Sequence, residues 1–127
     1  MIFCDENIKA DQVQLFRASH FHTQQIGAAV GRKGMLDAEI VPFLRSLRRP
    51  TLVTWDAGFY RRSNCHPRYC ILFLDVSASQ VAAHAIKVLR DRRFATAAAR
   101  MGKVIRITRS SVSYWQFKVQ SERRFSR

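Results

Sequence analysis

The sequence is poor in acidic residues: 9 Asp and Glu stand against 22 Lys and Arg, a formal net charge of +13. An excess of this size attracts polyanions and accelerates their encounter with the protein. Arginine predominates among the cations, and its planar guanidinium group suits phosphate binding and stacking on bases. The composition therefore indicates a nucleic acid as partner, with an acidic protein as a compatible second one. A basic surface without a specific partner is the alternative.

Cysteines and long apolar segments are scarce as well. The 3 cysteines are an odd number, which argues against a disulfide framework. Cys65, His66 and Cys70 suggest zinc, but no second pair of ligands follows, so a loop cysteine and a strand cysteine are the simpler interpretation. No apolar run approaches the roughly 20 residues that cross a bilayer. The N-terminus carries Asp5 and Glu6 before any apolar segment, unlike a secretory signal, and we expect a cytoplasmic protein.

No repeat, low-complexity block or linker divides the 127 residues, of which 47% are apolar. The chain is therefore expected to form one domain with a hydrophobic core. Short apolar segments that suit strands lie at MIFC, FHTQQIG, TLVT and RYCILFLD, and helical periodicity covers residues 8–19, 36–49 and 79–101. Because alternating strands and helices form a mainly parallel sheet covered on both faces, this order predicts an α/β fold.

The C-terminal part of the chain alternates apolar and polar residues. The segments KVIRIT and VSYWQFKV predict a β-hairpin over about residues 103–119, followed by a basic tail over residues 120–127. Tyr114, Trp115 and Phe117 would give this hairpin more apolar surface than an edge strand should expose. We therefore expect a homodimer contact or a contact with a partner protein there.

The few acids fall at positions that matter in such a fold. Asp5, Asp56 and Asp75 each end a predicted strand, and Asp37 begins a predicted helix. Sites in parallel sheets lie at the carboxyl ends of the strands, and carboxylates gathered there repel one another unless a cation joins them. Mg²⁺ or Mn²⁺ is the natural cation, because both take oxygen ligands. The candidate metal ligands and catalytic residues are Asp5, Asp37 and Asp56, with Glu6 as an additional ligand.

Each of these acids also has a structural explanation. Asp37 suits a helix cap, and Asp56 can anchor the turn at DAGF by bonding its own backbone. Asp5 or Glu6 can pair with a neighbouring arginine. Asp75 is better explained by a turn than by catalysis. For the other four acids, Asp5, Glu6, Asp37 and Asp56, residue type and position leave both the structural and the metal-binding explanation open.

Basic and aromatic residues near the acids are candidates for RNA contacts. The candidate RNA-binding residues are Arg61, Arg62, Arg68, Arg32 and Lys33. The first three are expected to flank the loop after the TLVT strand, where they could hold a phosphate backbone. The other two precede Asp37. Trp55 and Tyr60 offer stacking surfaces, whereas Phe59 is more typical of a core.

The blocks IFCDENI, LDAEIVPFL and LVTWDAGF occur in that order along the chain. In order and spacing they resemble the short PIN-like nuclease proteins, whose blocks usually read D-E-N, D-x-E-I and T-x-D-x-D-F. The resemblance extends through ILFLDV to about residue 108. It implies a PIN-like three-layer α/β/α sandwich, a carboxylate cluster that holds Mg²⁺ or Mn²⁺, and hydrolysis of RNA. Asp5, Asp37 and Asp56 match the acids of that family, and Glu6 and Asn7 complete its first block.

Many proteins of this kind are toxins of bacterial toxin–antitoxin pairs, so the resemblance also implies a protein antitoxin as partner. One position departs from the pattern, because Gly58 stands where the third block normally has a second aspartate. Our first hypothesis is a Mg²⁺- or Mn²⁺-dependent endoribonuclease, with one metal ion favoured over two. The alternative is a catalytically weakened RNA-binding or partner-binding module that has kept the fold.

Overall fold

The structure, a computed structural model, describes residues 1–27, 34 and 37–127, the side chain of Asp37 excepted. Its strands are β1 (Ile2–Cys4), β2 (Thr23–Gln25), β3 (Thr51–Thr54), β4 (Cys70–Leu74), β5 (Lys103–Ile107), β6 (Ser111–Gln116) and β7 (Arg123–Ser126). Its α-helices are α1 (Ala10–Ala18), α2 (Asp37–Arg45), α3 (Val81–Arg90) and α4 (Ala97–Arg100). None of the helices in these ranges is long and apolar enough to cross a bilayer.

The strands form one 7-stranded sheet in the order β2-β1-β3-β4-β5-β6-β7. The pairings among β1 to β5 are all parallel, and β6 and β7 add antiparallel strands at one side. The predicted mixed α/β fold with a mainly parallel sheet is therefore confirmed. The strand order reverses between β1 and β3, and the crevice at such a reversal is where open parallel sheets place their ligand sites.

Alternate residues of the central strands point to opposite faces of the sheet, as the pleat requires. Ile2 and Val53 belong to a hydrophobic cluster with residues of α1 and α3. Phe3 and Leu52 belong to a second cluster with Ile40, from α2. The near-continuous apolar runs of these strands follow from this burial on both faces.

The sequence predicted a single helix over residues 79–101, and this prediction is wrong in the middle of the segment, where the structure has a break between two helices. Helix α3 ends at Arg90, and Asp91 has an extended backbone with φ −68° and ψ 137°. Phe94 in the connection to α4 is fully buried, with its ring edge-on to that of Tyr114 at 5.6 Å and stacked on that of Phe125 at 6.2 Å. Burial of this aromatic side chain outweighs the helix propensity of the surrounding alanine-rich sequence.

Residues 120–127 are not the tail that the sequence predicted. They contain β7, which pairs antiparallel with β6, so that β6 is an interior strand. Trp115 is consequently partly buried, and Phe117 is 38% exposed. The outermost strand instead carries exposed Arg123 and Arg124, and charged side chains discourage pairing of sheet edges. The hairpin edge was wrongly predicted, and the homodimer contact stays a prediction.

A buried glutamine links two helices on one face of the sheet. Gln12 on α1 is 2% exposed, and its Oε1 accepts a hydrogen bond of 2.9 Å from the backbone N–H of Ala82. Ala82 lies in the first turn of α3, where backbone N–H groups have no partner within the helix. Gln12 therefore caps α3 from a neighbouring helix.

We expect Gln12→Leu to lower the free energy of unfolding by about 1–3 kcal/mol, because the buried N–H of Ala82 would lose its acceptor. Urea unfolding followed by circular dichroism measures the change. Gln14→Leu is the matched control, since Gln14 is exposed on the same helix, and should change stability by less than about 0.5 kcal/mol. Equal losses in the two variants would contradict the capping role.

Candidate functional site

Two of the predicted acids come together at the carboxyl ends of β1 and β3. Cys4 pairs with Val53 in the register of these strands, and the backbone N–H of Asp5 donates to the carbonyl oxygen of Val53 at 2.9 Å. The next residue of β3, Thr54, therefore lies beside Asp5. Asp5 is only 5% exposed, which is unusual for a carboxylate and requires donors nearby.

The hydroxyl of Thr54 connects Asp5 and Asp56. Its Oγ1 donates to Asp5 Oδ2 at 2.9 Å and accepts the backbone N–H of Asp56 at 3.1 Å. Thr54 is itself fully buried. Among the described residues, the other oxygen of Asp5, Oδ1, receives only a long contact of 3.4 Å, from the backbone N–H of Asn7. One oxygen of this buried carboxylate is thus firmly held, while the second is weakly bonded.

Asp56 anchors the turn that follows it. Its Oδ1 accepts the backbone N–H of Gly58 at 2.9 Å and caps the short 3-10 helix Ala57–Phe59. The structural role that the sequence allowed for Asp56 is therefore confirmed. This role uses one oxygen of an exposed carboxylate, and no donor in the described part of the chain bonds the other oxygen, Oδ2.

The third predicted ligand, Asp37, is the first residue of α2, but its side chain lies outside the described part of the chain. Arg32 and Lys33 lie outside it as well. Glu6 is exposed, and its Oε2 accepts the backbone N–H of Gly34 at 3.0 Å. This bond ties Gly34 to the residue after Asp5.

The described acids are of the type that binds a divalent cation, but there are too few of them to form a complete metal site. Asp5 and Asp56 provide carboxylate oxygens, the ligands that Mg²⁺ and Mn²⁺ prefer. Among the side chains that the structure describes, no three His, Cys, Asp or Glu residues are grouped so as to hold a metal ion. The remaining candidates for a third carboxylate are Asp37 and Glu6, whose Oε2 already accepts the N–H of Gly34. Gly58 contributes its backbone N–H to the cap and, having no side chain, offers no ligand.

The zinc site considered for the NCHPRYC segment is wrong. Cys70 lies in the cluster with α1 and α3, whereas Cys65 packs against the cluster on the other face of the sheet. The two thiols therefore cannot share an ion. Burial raises the pKa of Cys70 to about 12, and that of Cys4 likewise to about 12, so both thiols stay protonated at neutral pH.

Asp75, at the carboxyl end of β4, is engaged with an arginine. Its Oδ2 accepts two hydrogen bonds from Arg106, at 2.6 Å from Nη2 and 3.1 Å from Nε. This exposed ion pair across β4 and β5 explains Asp75 better than the turn expected from the sequence.

The candidate RNA-binding arginines separate into two places. Arg61 and Arg62 are exposed in the connection after Asp56, and Arg62 Nη2 donates to Gln120 Oε1 at 2.6 Å. Arg68 directly precedes β4. Because β3 and β4 are parallel, Arg68 lies at the amino end of the sheet, about 13 Å from the edge that carries Asp56. Arg68 therefore borders the loop after β3, as predicted, but at the end remote from the acids, and its contact with RNA stays a prediction.

The aromatic residues around Asp56 also divide, some lying at the surface and some in the core. Trp55 is 47% exposed beside Asp56, and its Nε1 donates to the carbonyl oxygen of Val76 at 2.7 Å. This bond fixes an exposed indole at the acidic edge, where it could stack on a base. Phe59 is buried, as predicted. Tyr60 is half-buried: its hydroxyl bonds Glu122 and Ser113, and its ring lies beside that of Phe73 with centroids 6.4 Å apart.

Sequence analysis missed Thr54, although it joins the two acids. In TLVTWD it was interpreted only as a strand-forming residue. The available signal was a hydroxyl at the last position of a strand, two residues before an aspartate. No family model, curated protein or solved structure shows a significant match to this chain.

We expect Thr54→Val to lower the free energy of unfolding by about 1–3 kcal/mol, because Asp5 Oδ2 and the N–H of Asp56 both lose their partner. Thr54→Ser keeps the hydroxyl and removes one methyl group, a cost of about 0.8 kcal/mol. Denaturant unfolding of both variants separates the two contributions. A valine variant as stable as the serine variant would show that the hydroxyl does not hold the acids together.

Proposed function

We propose that this protein is a Mg²⁺- or Mn²⁺-dependent endoribonuclease of the PIN-like type, with the three-layer sandwich that this implies. One observation carries the proposal: the hydroxyl of Thr54 joins Asp5 and Asp56 at the reversal point of a parallel sheet. Two neighbouring carboxylates destabilise each other unless a cation offsets their charge. The net charge of +13 supports a polyanionic substrate.

Asp5, Asp56 and Asp37 are the residues that would hold the ion. Asp5 Oδ1 is weakly bonded and Asp56 Oδ2 lies outside the cap bond, so these two oxygens have lone pairs for a cation. When bound, Mg²⁺ or Mn²⁺ activates water and stabilises charge on the phosphate. Trp55 stacks on a base next to the cleaved bond, and Arg61 holds the backbone.

Biological partners follow from the same proposal. The toxin-like form acts in the cytoplasm, and an acidic antitoxin binds its basic surface. The basic surface favours such a partner, because complementary charge speeds association and disfavours wrong partners. A homodimer is compatible with this arrangement, although β6 does not offer the free edge expected for it.

A second candidate function is an RNA-binding or partner-binding module that does not cut. Gly58 in the third block favours it, as does the engagement of both described acids in structural bonds. In this form Asp5 serves only to hold Thr54, and Asp56 serves only as a cap. The two candidates differ in whether the carboxyl edge binds a divalent cation.

We expect wild type to cleave a mixed pool of tRNA and single-stranded RNA in Mn²⁺ and not in EDTA. Asp56→Asn should cleave RNA at least about 100-fold more slowly. Mutating a residue that only supports a metal ligand already lowers activity by about 10–100-fold, and a ligand itself should matter at least as much. Asparagine can keep the cap, so circular dichroism should show an unchanged fold. Asp75→Asn is the matched control at the same edge and should cleave like wild type, because its exposed ion pair contributes little.

Calorimetric titration with Mn²⁺ separates the two candidates. The nuclease should bind Mn²⁺, and Asp56→Asn should weaken that binding. A wild-type protein that neither binds millimolar Mn²⁺ nor cuts, yet binds the same RNA in a salt-sensitive way, would replace the nuclease by the binding module.

A further inference from the structure

Opposite charges collect at the two ends of the parallel strands. Asp5, Asp56 and Asp75 follow the carboxyl ends of β1, β3 and β4. Arg48 and Arg49 precede β3, and Arg68 precedes β4, at the amino ends. The sheet therefore separates an acidic edge from a basic one. The sequence explains the basic edge only as the C-terminus of a helix and part of a loop.

A cavity of about 470 Å³ lies at the basic edge. Its polar lining includes Arg48, Arg49 and Arg68, and its apolar lining includes Leu47, Pro67 and Met101. No acidic residue is among the described residues that line it. We call it the arginine pocket. A volume of this size is in the range of small-molecule sites and exceeds what a single carboxylate fills.

The three guanidinium groups of the arginine pocket have no acceptor within the described part of the chain. Other arginines do: Arg62 bonds Gln120, and Arg106 bonds Asp75. The guanidinium groups of Arg48, Arg49 and Arg68 are exposed and keep all their N–H donors for a ligand. Convergence of unpaired cations in a concave site favours an anion with several acceptor oxygens.

The backbone that carries these arginines is well held. Arg49 has φ +48°, in the left-handed region that few residues other than glycine adopt. The following Pro50 is buried, and its carbonyl oxygen accepts the N–H of Cys70 at 3.0 Å. The N–H of Arg68 donates to His66 Nδ1 at 3.1 Å. These bonds hold the two segments that face each other across the pocket.

The local field at the pocket is positive. The pKa of His66 is lowered from its usual range, first by burial and then by the charges of Arg45 and Arg68. His66 stacks on Tyr69 with ring centroids 5.3 Å apart, which keeps the imidazole beside Arg68. A bound anion would offset this field.

We propose that the arginine pocket binds a phosphate group of an RNA strand, with Leu47, Pro67 and Met101 against the adjoining nucleoside. Guanidinium forks match phosphate oxygens bidentately, and the apolar wall suits a ribose and base better than an acidic peptide. RNA as occupant rests on the function proposed above. Since strands of four or five residues separate this pocket from the acids by about 13–17 Å, only an oligonucleotide reaches both ends of the sheet.

Anisotropy of a labelled single-stranded RNA in EDTA, measured over a range of salt concentrations, tests the pocket without cleavage. The test variant is Arg48→Ala/Arg68→Ala, and Arg49 is kept because of its left-handed backbone. The matched control is Arg90→Ala/Arg124→Ala, which removes the same charge from exposed positions outside the pocket. The test variant should bind RNA at least about tenfold more weakly. The slope of log K against log salt concentration should also be smaller by about 0.7 for each phosphate that the arginines no longer neutralise. The control should keep the wild-type slope.

Equal slopes and affinities in the two double variants would overturn the proposal. NMR of the arginine Nε–H groups gives an independent readout, with inorganic phosphate and AMP as probes. We expect the signals of Arg48 and Arg68 to shift and the pKa of His66 to rise. Two results would reject RNA as the ligand of the pocket. One is a protein that binds inorganic phosphate but no RNA, and the other is a polyglutamate peptide that binds as tightly as RNA. RNA binding at the pocket without cleavage would leave this proposal standing and reject the nuclease.

Discussion

Parallel pairing of β1, β3, β4 and β5 is the constraint on which the other features of this protein depend. It places all their carboxyl ends at one edge of the sheet and all their amino ends at the other. Residues far apart in the chain, such as Asp5 and Asp56, meet for this reason alone. Arg68 is carried to the opposite edge by the same geometry, although it lies much nearer to Asp56 in the sequence.

At the acidic edge, one hydroxyl organises the site. A carboxylate as buried as Asp5 is tolerated only where it is hydrogen-bonded, and Thr54 provides the bond while it also accepts the N–H of Asp56. The arrangement stabilises the fold, orients the carboxylate of Asp5 and fixes the backbone of Asp56 at the same time. Structural and catalytic explanations of these acids are therefore compatible, since each carboxylate has an oxygen that the described residues do not firmly engage.

The parts of the fold that could be predicted were those with a strong local pattern. The apolar runs of β3 and β4 and the helical start at Asp37 were placed from the sequence. The break between α3 and α4 was not, because it depends on the burial of Phe94 against Tyr114 and Phe125. Strand β7 was missed because its arginine-rich sequence lacks an apolar pattern, and pairing with β6 supplies its stability.

The sequence by itself determined the basic charge, the α/β class, and the position of acids after successive strands, since these follow from residue type and periodicity. Tertiary structure alone decided which charges become neighbours. Strand direction and register brought Asp5 to Thr54 and Asp56, and separated both acids from Arg68. The arginine pocket likewise exists only because the chain returns to the amino ends of the strands after each crossover. The local sequence pattern predicts the chemistry and the secondary structure of each residue, whereas long-range strand pairing decides which residues become its neighbours.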